Sequence, residues 1–275
     1  MTTLTSCPDF SFDQRVAGRY DIQRAHPPDV ARQIGEAIAA QVGAGAPAAS
    51  SGALPVLEIG VGTGRIAWPV VDAGCQVVGI DLSAEMLGEV YAQRGPHARL
   101  TVFQGDMHSL PLPSNHFAGA LAVHVLHLAR DWQQVLREIT RTLRPGAVFV
   151  QGDDWIDPQS VVGLLRNQLR MFAAKHAPNL RPPAATVSKA HYLRELGGED
   201  TYEVVAAEWV TYISPAERLA AVAQRIDAES WVLPPPVFEA VFADLQQFAA
   251  NTWTDLEAQQ PVTRRFVLKV TRGDW

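Results

Sequence analysis

The chain has 275 residues, of which 47% are hydrophobic and 19% are charged, and its formal net charge is −6. This composition excludes a disordered chain, and the length allows a core that needs no covalent or metal support. The negative charge disfavours a nucleic-acid partner, because non-specific binding to phosphate backbones needs a positive surface. Cys7 and Cys75 lie far apart and form no disulfide framework, so we expect free thiols.

The pattern at the start of the chain leads us to expect no signal peptide. Residues 1–13 lack the basic region followed by an apolar run that marks a signal peptide. No stretch reaches the roughly 18 apolar residues that a membrane-spanning helix needs. We therefore expect a cytoplasmic protein without a membrane span.

Residues 1–53 are predicted to form a helical segment and a linker. Apolar residues recur at every fourth position from Val30 to Val42, which indicates one buried helix face. Residues 43–52 contain only Gly, Ala, Ser and Pro, a composition typical of a flexible connector.

Residues 54–154 alternate between short apolar runs and amphipathic stretches, and we assign them to one core domain. The predicted strands are Leu54–Ile59, Cys75–Ile80, Leu100–Phe103, Ala118–Val123 and Ala147–Gln151. Helices are predicted at Arg65–Ala73, at Ala84–Arg94 after a Ser83 cap, and after an Asp131 cap. This alternation predicts an α/β fold with a mostly parallel sheet and helices on both faces.

The alternation stops after Asp154. Residues 155–200 are predicted to be a helical insert, which we call the lid. Residues 201–275 are predicted to complete a seven-stranded sheet, with strands at Tyr202–Ile213 and Phe266–Val270. Between those strands, Ser214 and Glu217 form a predicted capping box, and a further amphipathic helix follows.

A glycine-rich loop follows the first predicted strand, in the run VLEIGVGTGR at residues 56–65. Gly60, Gly62 and Gly64 allow a tight turn and let a ligand approach the backbone closely. Asp81 ends the second strand, at a separation from the loop that suits a carboxylate binding both ribose hydroxyls of a nucleotide. The alternative is that Asp81 only begins the next turn.

These motifs together strongly resemble the class I methyltransferases that use S-adenosylmethionine (SAM), in the small-molecule branch of the ubiquinone and menaquinone methyltransferases. The resemblance extends from about Leu54 to Gln151. It includes EIGVGTG at 58–64, GIDLS at 79–83, QGDM at 104–107, LPL at 110–112 and LRPGA at 143–147. It implies a Rossmann-like methyltransferase fold with SAM as the cofactor.

The resemblance also implies which residues bind SAM. The candidates are Tyr20, Glu58, Gly60, Gly62, Gly64, Asp81, Leu82, Met86, Asp106, Met107 and His124. The glycine loop would pass under the methionine part, and Glu58 would support that loop and face the ammonium group directly or through water. Asp81 would bind the ribose hydroxyls, and Asp106 would accept a hydrogen bond from the adenine amino group. Tyr20 would contact SAM, or it would simply pack on the neighbouring helix.

The glycine spacing separates SAM from dinucleotides. Arg65 occupies the position where a dinucleotide-binding fingerprint would have its third glycine. SAM has no pyrophosphate to bind at a helix N-terminus. We therefore favour SAM and keep two alternatives, a nicotinamide-dependent oxidoreductase and a SAM-binding protein without catalysis.

Two histidines follow the fourth strand, where the ligand crevice of such a sheet lies. His124 and His127 are candidate catalytic bases, because imidazole titrates near neutral pH. For His127, packing on the cofactor is an equal alternative. Asp153 and Asp154 also end a strand there, but they do not form a convincing metal pattern, so we expect no metal.

The lid carries basic residues without any acidic residue between Pro158 and Arg194; they are Arg166, Arg170, Lys175, Arg181, Lys189 and Arg194. They either attract an anionic acceptor or form an ordinary solvated surface. The sequence thus predicts methyl transfer from SAM to the oxygen, nitrogen or carbon atom of a small molecule.

Overall fold

The structure, a computed structural model, describes residues 25–43, 54–179, 189–225, 230 and 233–275. Tyr20, Cys7 and Arg181 lie outside these residues. The described helices are α1 (Pro28–Val42), α2 (Ala67–Asp72), α3 (Ala84–Arg94), α4 (Trp132–Thr142), α5 (Val161–His176), α6 (Ala190–Glu195), α7 (Pro215–Ala223) and α8 (Pro235–Thr252). The strands are β1 (Val56–Ile59), β2 (Val77–Asp81), β3 (Leu100–Gln104), β4 (Phe117–Val123), β5 (Leu143–Ile156), β6 (Gly198–Ile213) and β7 (Gln260–Gly273).

One seven-stranded sheet runs in the order β3-β2-β1-β4-β5-β7-β6. The pairs β3–β2, β2–β1, β1–β4 and β4–β5 are all parallel. Their carboxyl ends therefore lie along one edge of the sheet, where ligands bind in open α/β folds. The predicted α/β fold with a mostly parallel sheet is confirmed.

Strand β7 runs antiparallel to β6. Residue numbers rise along one strand as they fall along the other in the paired side chains Thr201–Thr271, Glu203–Lys269 and Glu208–Arg265. Strands β5, β6 and β7 are longer than the sequence predicted. The apolar runs marked only their buried parts, whereas the ends of β5 carry exposed residues such as Arg144 and Asp153 that resemble loop sequence.

The helix caps follow the sequence signals. Ser83 Oγ accepts a hydrogen bond from Met86 N, and Asp131 Oδ1 accepts one from Gln134 N. Ser214 and Glu217 form the predicted capping box. Helix α2 begins two residues later than predicted, because the glycine loop continues into its first turn.

The chain divides into two compact units. The first comprises Met1–Asp153, Lys189–Ala206 and Leu268–Trp275. Its core contains fully buried side chains such as Leu57, Phe117 and Phe149. The motifs that resemble methyltransferases all belong to this unit.

The second unit comprises Asp154–Ser188 and Ala207–Val267, and it has its own core. Val161, Leu165 and Leu169 of α5 are buried there together with Val241 and Leu245 of α8. The apolar face of α5 is therefore used for packing within this unit. Residues 155–200 of the predicted lid are shared between the two units.

Candidate functional site

The loop after β1 is tied to the end of β2. Gly60 N and Val61 N both donate hydrogen bonds to Ile80 O, at 2.8 and 3.1 Å. Gly60, Gly62 and Gly64 have φ angles of +67°, +55° and +85°. This left-handed region is unfavourable for residues with a Cβ atom, so the backbone path itself selects glycine at all three positions.

Gly60 and Gly62 serve different purposes. A Cβ atom at position 60 would overlap the side chain of Val125, so that glycine is required for packing. A Cβ atom at position 62 would meet only Met86 Cε, at 3.7 Å, among the residues that the structure describes. The loop therefore leaves open space beside Gly62, as a ligand that approaches the backbone requires.

Asp81, at the end of β2, is fixed by two backbone hydrogen bonds. Its Oδ2 accepts from Gly62 N at 2.8 Å, and its Oδ1 accepts from Ser83 N at 2.9 Å. The bond to Ser83 means that Asp81 does begin the next turn, which was the alternative to a ligand role. Each carboxylate oxygen can accept a further bond. The turn role and a ligand role are therefore compatible.

Glu58 of β1 is a buried acid, with 2% of its surface exposed. Its Oε2 atom has no hydrogen-bond partner within the described part of the chain. Burial raises the pKa of this carboxyl to about 8, against the lowering effect of Arg65 and with a small further rise from Asp81. An unpartnered buried carboxylate is unfavourable, and a ligand cation beside it would restore the charged form.

Leu82 and Asp106 lie beyond the ends of β2 and β3. The Leu82 side chain is 70% exposed, although its carbonyl oxygen accepts a 2.9 Å bond from Gln104 Nε2. Asp106 Oδ1 accepts from His108 N at 2.9 Å and pairs with His108 Nδ1 at 2.7 Å. The backbone bond from His108 is the main cause that lowers the pKa of Asp106. Met107 packs against the core of the unit.

His124 and Asp153 lie side by side at the ends of β4 and β5. The register pairs Val123 with Gly152, which brings the next residue of each strand together. His124 Nδ1 lies 3.6 Å from Asp153 Oδ1. His124 has a φ of +51°, which is strained for a histidine, and its side chain is 15% exposed.

A charged side chain lies near the pair of His124 and Asp153, whereas His127 is exposed. Lys189 lies close enough to Asp153 for their charges to interact. Burial lowers the pKa of the Lys189 ammonium group, and the Asp153 carboxylate acts in the opposite direction. His127 is exposed in the short 3-10 turn Leu126–Leu128. Asp153 thus lies near both His124 and Lys189, and the sequence pattern did not predict the place of Lys189.

The described ranges contain neither a group of side chains suited to a metal ion nor a helix suited to crossing a membrane. These residues contain no group of three or more His, Cys, Asp or Glu side chains that could hold a metal ion. None of their helices has both the length and the apolar character needed to cross a membrane.

Part of the chain is similar to known methyltransferases. A family described as a methyltransferase domain matches residues 57–151. The sterol 4-C-methyltransferase strm-1 of Caenorhabditis elegans is 29% identical over 100 residues, which are 35% of this chain and 30% of that protein. The demethylmenaquinone methyltransferase of Renibacterium salmoninarum is 33% identical over 102 residues, which are 36% of this chain and 42% of that protein. The chain thus matches less than half of the length of either relative.

The fold has solved counterparts. The YcgJ protein of Bacillus subtilis superposes with a TM-score of 0.53 at 16% identity, over 86% of this chain and 98% of that one. Residues 57–151 therefore form a methyltransferase domain, and their fold is the Rossmann-like fold of class I. This match agrees with the class I methyltransferases that the sequence motifs resemble.

Proposed function

We propose that this chain transfers a methyl group from SAM to a small-molecule acceptor. The observation that carries the proposal is Glu58, a buried acid whose Oε2 atom has no partner among the described residues, just before a glycine loop with open space at Gly62. SAM is cationic at its ammonium and sulfonium groups and supplies an electrophilic methyl group. A dinucleotide would instead bring an anionic pyrophosphate to the same loop, which would offer the buried Glu58 no cationic partner.

The proposed cofactor contacts follow the strand ends. Glu58 and the backbone of Gly60, Gly62 and Gly64 would hold the methionine part. Asp81 would bind the ribose hydroxyls with a carboxylate already oriented by two backbone N–H groups. The adenine would lie among the side chains that follow β2 and β3, which are Leu82, Met86, Asp106 and Met107. Tyr20 remains a proposed contact outside the described residues.

The acceptor is proposed to be a small molecule and not a nucleic acid. The names of the two relatives refer to a sterol and to demethylmenaquinone, which are both small organic acceptors. The sulfur leaving group departs without charge, so the protein mainly has to position the reactants. A base is needed only where the acceptor loses a proton.

His124 is the proposed base, and His127 is the weaker candidate. His124 is mostly buried and faces Asp153, whose carboxylate can orient the imidazole. His127 is exposed, so water would compete with an acceptor for its ring nitrogens. The proposed site therefore combines a cofactor half at β1 to β3 with an acceptor half at β4 and β5.

Isothermal titration calorimetry with SAM, S-adenosylhomocysteine and NADH tests the cofactor. We expect binding of the first two and none of NADH. A screen of small-molecule acceptors with methyl-labelled SAM then tests transfer. Binding of NADH in preference to SAM would support an oxidoreductase instead, and SAM binding without any transfer would support a non-catalytic binding protein.

A further inference from the structure

The His108 side chain links two loops at the cofactor edge of the sheet. Its Nδ1 lies 2.7 Å from Asp106 Oδ1, and its Nε2 lies 3.4 Å from Asp131 N. Only 20% of the His108 side chain is exposed. The loop after β3 is thereby connected to the N-terminus of α4, which Asp131 caps.

These contacts assign different roles to the two ring nitrogens. Asp131 N can only donate, so Nε2 is the acceptor and the ring proton lies on Nδ1, from which it is donated to Asp106. Further bonds hold the rest of this segment, because Gln134 Nε2 donates to His108 O at 3.2 Å and Gln134 N donates to Asp131. The imidazole is therefore supported on both sides and has little freedom to rotate.

The same carboxylate oxygen of Asp106 accepts both hydrogen bonds from His108. Oδ1 accepts from His108 N and from the ring, and within the described ranges these bonds leave Oδ2 unused. The carboxylate is 46% exposed, so Oδ2 can reach a ligand. Two donors on one oxygen fix the plane of the carboxylate and the direction in which the other oxygen points.

We propose that His108 is a positioning residue that aims Asp106 at the 6-amino group of the cofactor base and so makes the site select adenine over purines without that group. This inference rests on the proposed function, because it requires that the chain binds SAM. A backbone bond alone would allow the Asp106 carboxylate to turn about its side-chain bonds. The second, rigid donor removes that freedom before the ligand arrives.

The test compares two ligands by calorimetry. One is S-adenosylhomocysteine, and the other is its 6-deamino analogue, whose base is unsubstituted purine. We expect the unchanged protein to prefer S-adenosylhomocysteine by about tenfold to a hundredfold, as for a hydrogen bond to a charged group. In His108→Leu this preference should fall to less than about threefold, because only the backbone bond would then hold the Asp106 carboxylate.

Two variants serve as controls. His108→Asn keeps an N–H donor near the position of Nδ1 and should retain most of the preference, even if His108→Leu proves unstable. His116→Leu changes an exposed histidine just before β4, at the opposite edge of the sheet, and should leave the preference unchanged. A ratio of affinities is the readout, since a general loss of structure would weaken both ligands alike.

The outcomes are distinguishable. If S-adenosylhomocysteine does not bind the unchanged protein, the proposed function fails and this inference fails with it. If the unchanged protein binds it with the expected preference and His108→Leu retains the full preference with an intact fold, only the role of His108 is overturned. Loss of the preference in His108→Leu with recovery in His108→Asn supports the inference.

Discussion

The two halves of the candidate site are built differently. In the cofactor half, the backbone holds the acidic groups, since Asp81 accepts bonds from Gly62 N and Ser83 N. In the acceptor half, Asp153 is 77% exposed and faces His124 across 3.6 Å. One half is fixed by main-chain geometry, whereas the other depends on two side chains.

This difference indicates which part of the site is complete before any ligand arrives. Backbone donors keep their positions when the chain folds, so the cofactor half is preorganised. A pair of side chains at strand ends can adapt to its ligand at little cost. We infer that substitutions in the cofactor half will act mainly on SAM affinity and that those in the acceptor half will act mainly on turnover.

Gly62→Val should have the largest effect. A side chain at this position enters the open space beside the loop, and we expect SAM affinity to fall by more than about a hundredfold, measured by calorimetry. Gly95→Val is the matched control, because Gly95 also has a positive φ, of +72°, and an added Cβ atom there would meet none of the described residues within 4 Å. Normal SAM binding by Gly62→Val would show that the loop does not face the cofactor.

His124→Asn should lower kcat/KM by about a hundredfold, the usual range for loss of a general base. Asparagine tolerates the left-handed backbone at this position, so the fold should persist. Affinity for S-adenosylhomocysteine should change little. The measurement uses an acceptor found in the screen, with His127→Asn as the control. An equal loss in both variants would contradict the assignment of the base to His124.

Asp81→Ala should weaken SAM binding by about tenfold to a hundredfold, as expected for a charged hydrogen-bond acceptor. The fold should remain, which circular dichroism can check. Asp72→Ala removes another acid of the same unit, one that is paired with Arg94 away from the loop, and should leave SAM affinity unchanged. Unaltered affinity in Asp81→Ala would mean that the ribose lies elsewhere.

Glu58→Gln should make the stability of the free protein less dependent on pH. The pKa of Glu58 is raised from 4.5 to about 8 on folding. Between these values the folded protein keeps a proton that the unfolded chain has lost, so stability falls as pH rises, by at most about 1.4 kcal/mol per unit. The fall is complete above about pH 8.

Thermal unfolding at pH 5, 6.5 and 8 measures this effect. The decrease in Tm from pH 5 to pH 8 should be smaller in Glu58→Gln than in the unchanged protein. Glu85→Gln, an exposed acid on α3, is the control. Parallel pH profiles for Glu58→Gln and the unchanged protein would show that Glu58 is charged in the folded state.

Charge reversal at Arg166 and Arg170 of the lid should have the smallest effect. If these residues attract an anionic acceptor, Arg166→Glu with Arg170→Glu should raise its KM by about threefold at low salt and make KM less sensitive to salt. SAM affinity should not change. Arg32→Glu, on the exposed face of α1, controls for net charge. An unchanged KM would assign the lid charges to an ordinary solvated surface.

The glycine loop and the position of Asp81 at the end of a strand could be predicted because their constraints are local. Each glycine of the loop is required by a positive φ, and Asp81 ends a strand, so short motifs carry both signals. The pairing of His124 with Asp153 needed the register of β4 and β5, which the sequence does not state. Both residues had been placed at strand ends, but their contact follows only once the strands are known to be neighbours.

His108 was missed because a single histidine two residues after an acid has no distinctive pattern. The only signal was the spacing Asp106-Met107-His108, in which the third residue can donate back to the first. The lengths of β5 and β7 were missed for a different reason. Their ends are exposed, so the apolar pattern stops while the strand hydrogen bonds continue.

The histidine at position 124 serves the proposed reaction, but its left-handed backbone lowers the stability of the fold. A histidine at a φ of +51° stores strain of about 1 kcal/mol, which glycine or asparagine would relieve. A laboratory selection for heat resistance alone should therefore replace this residue early, and the selected variants should have a lower kcat. Selection for both properties should keep the histidine and gather its stabilising changes elsewhere.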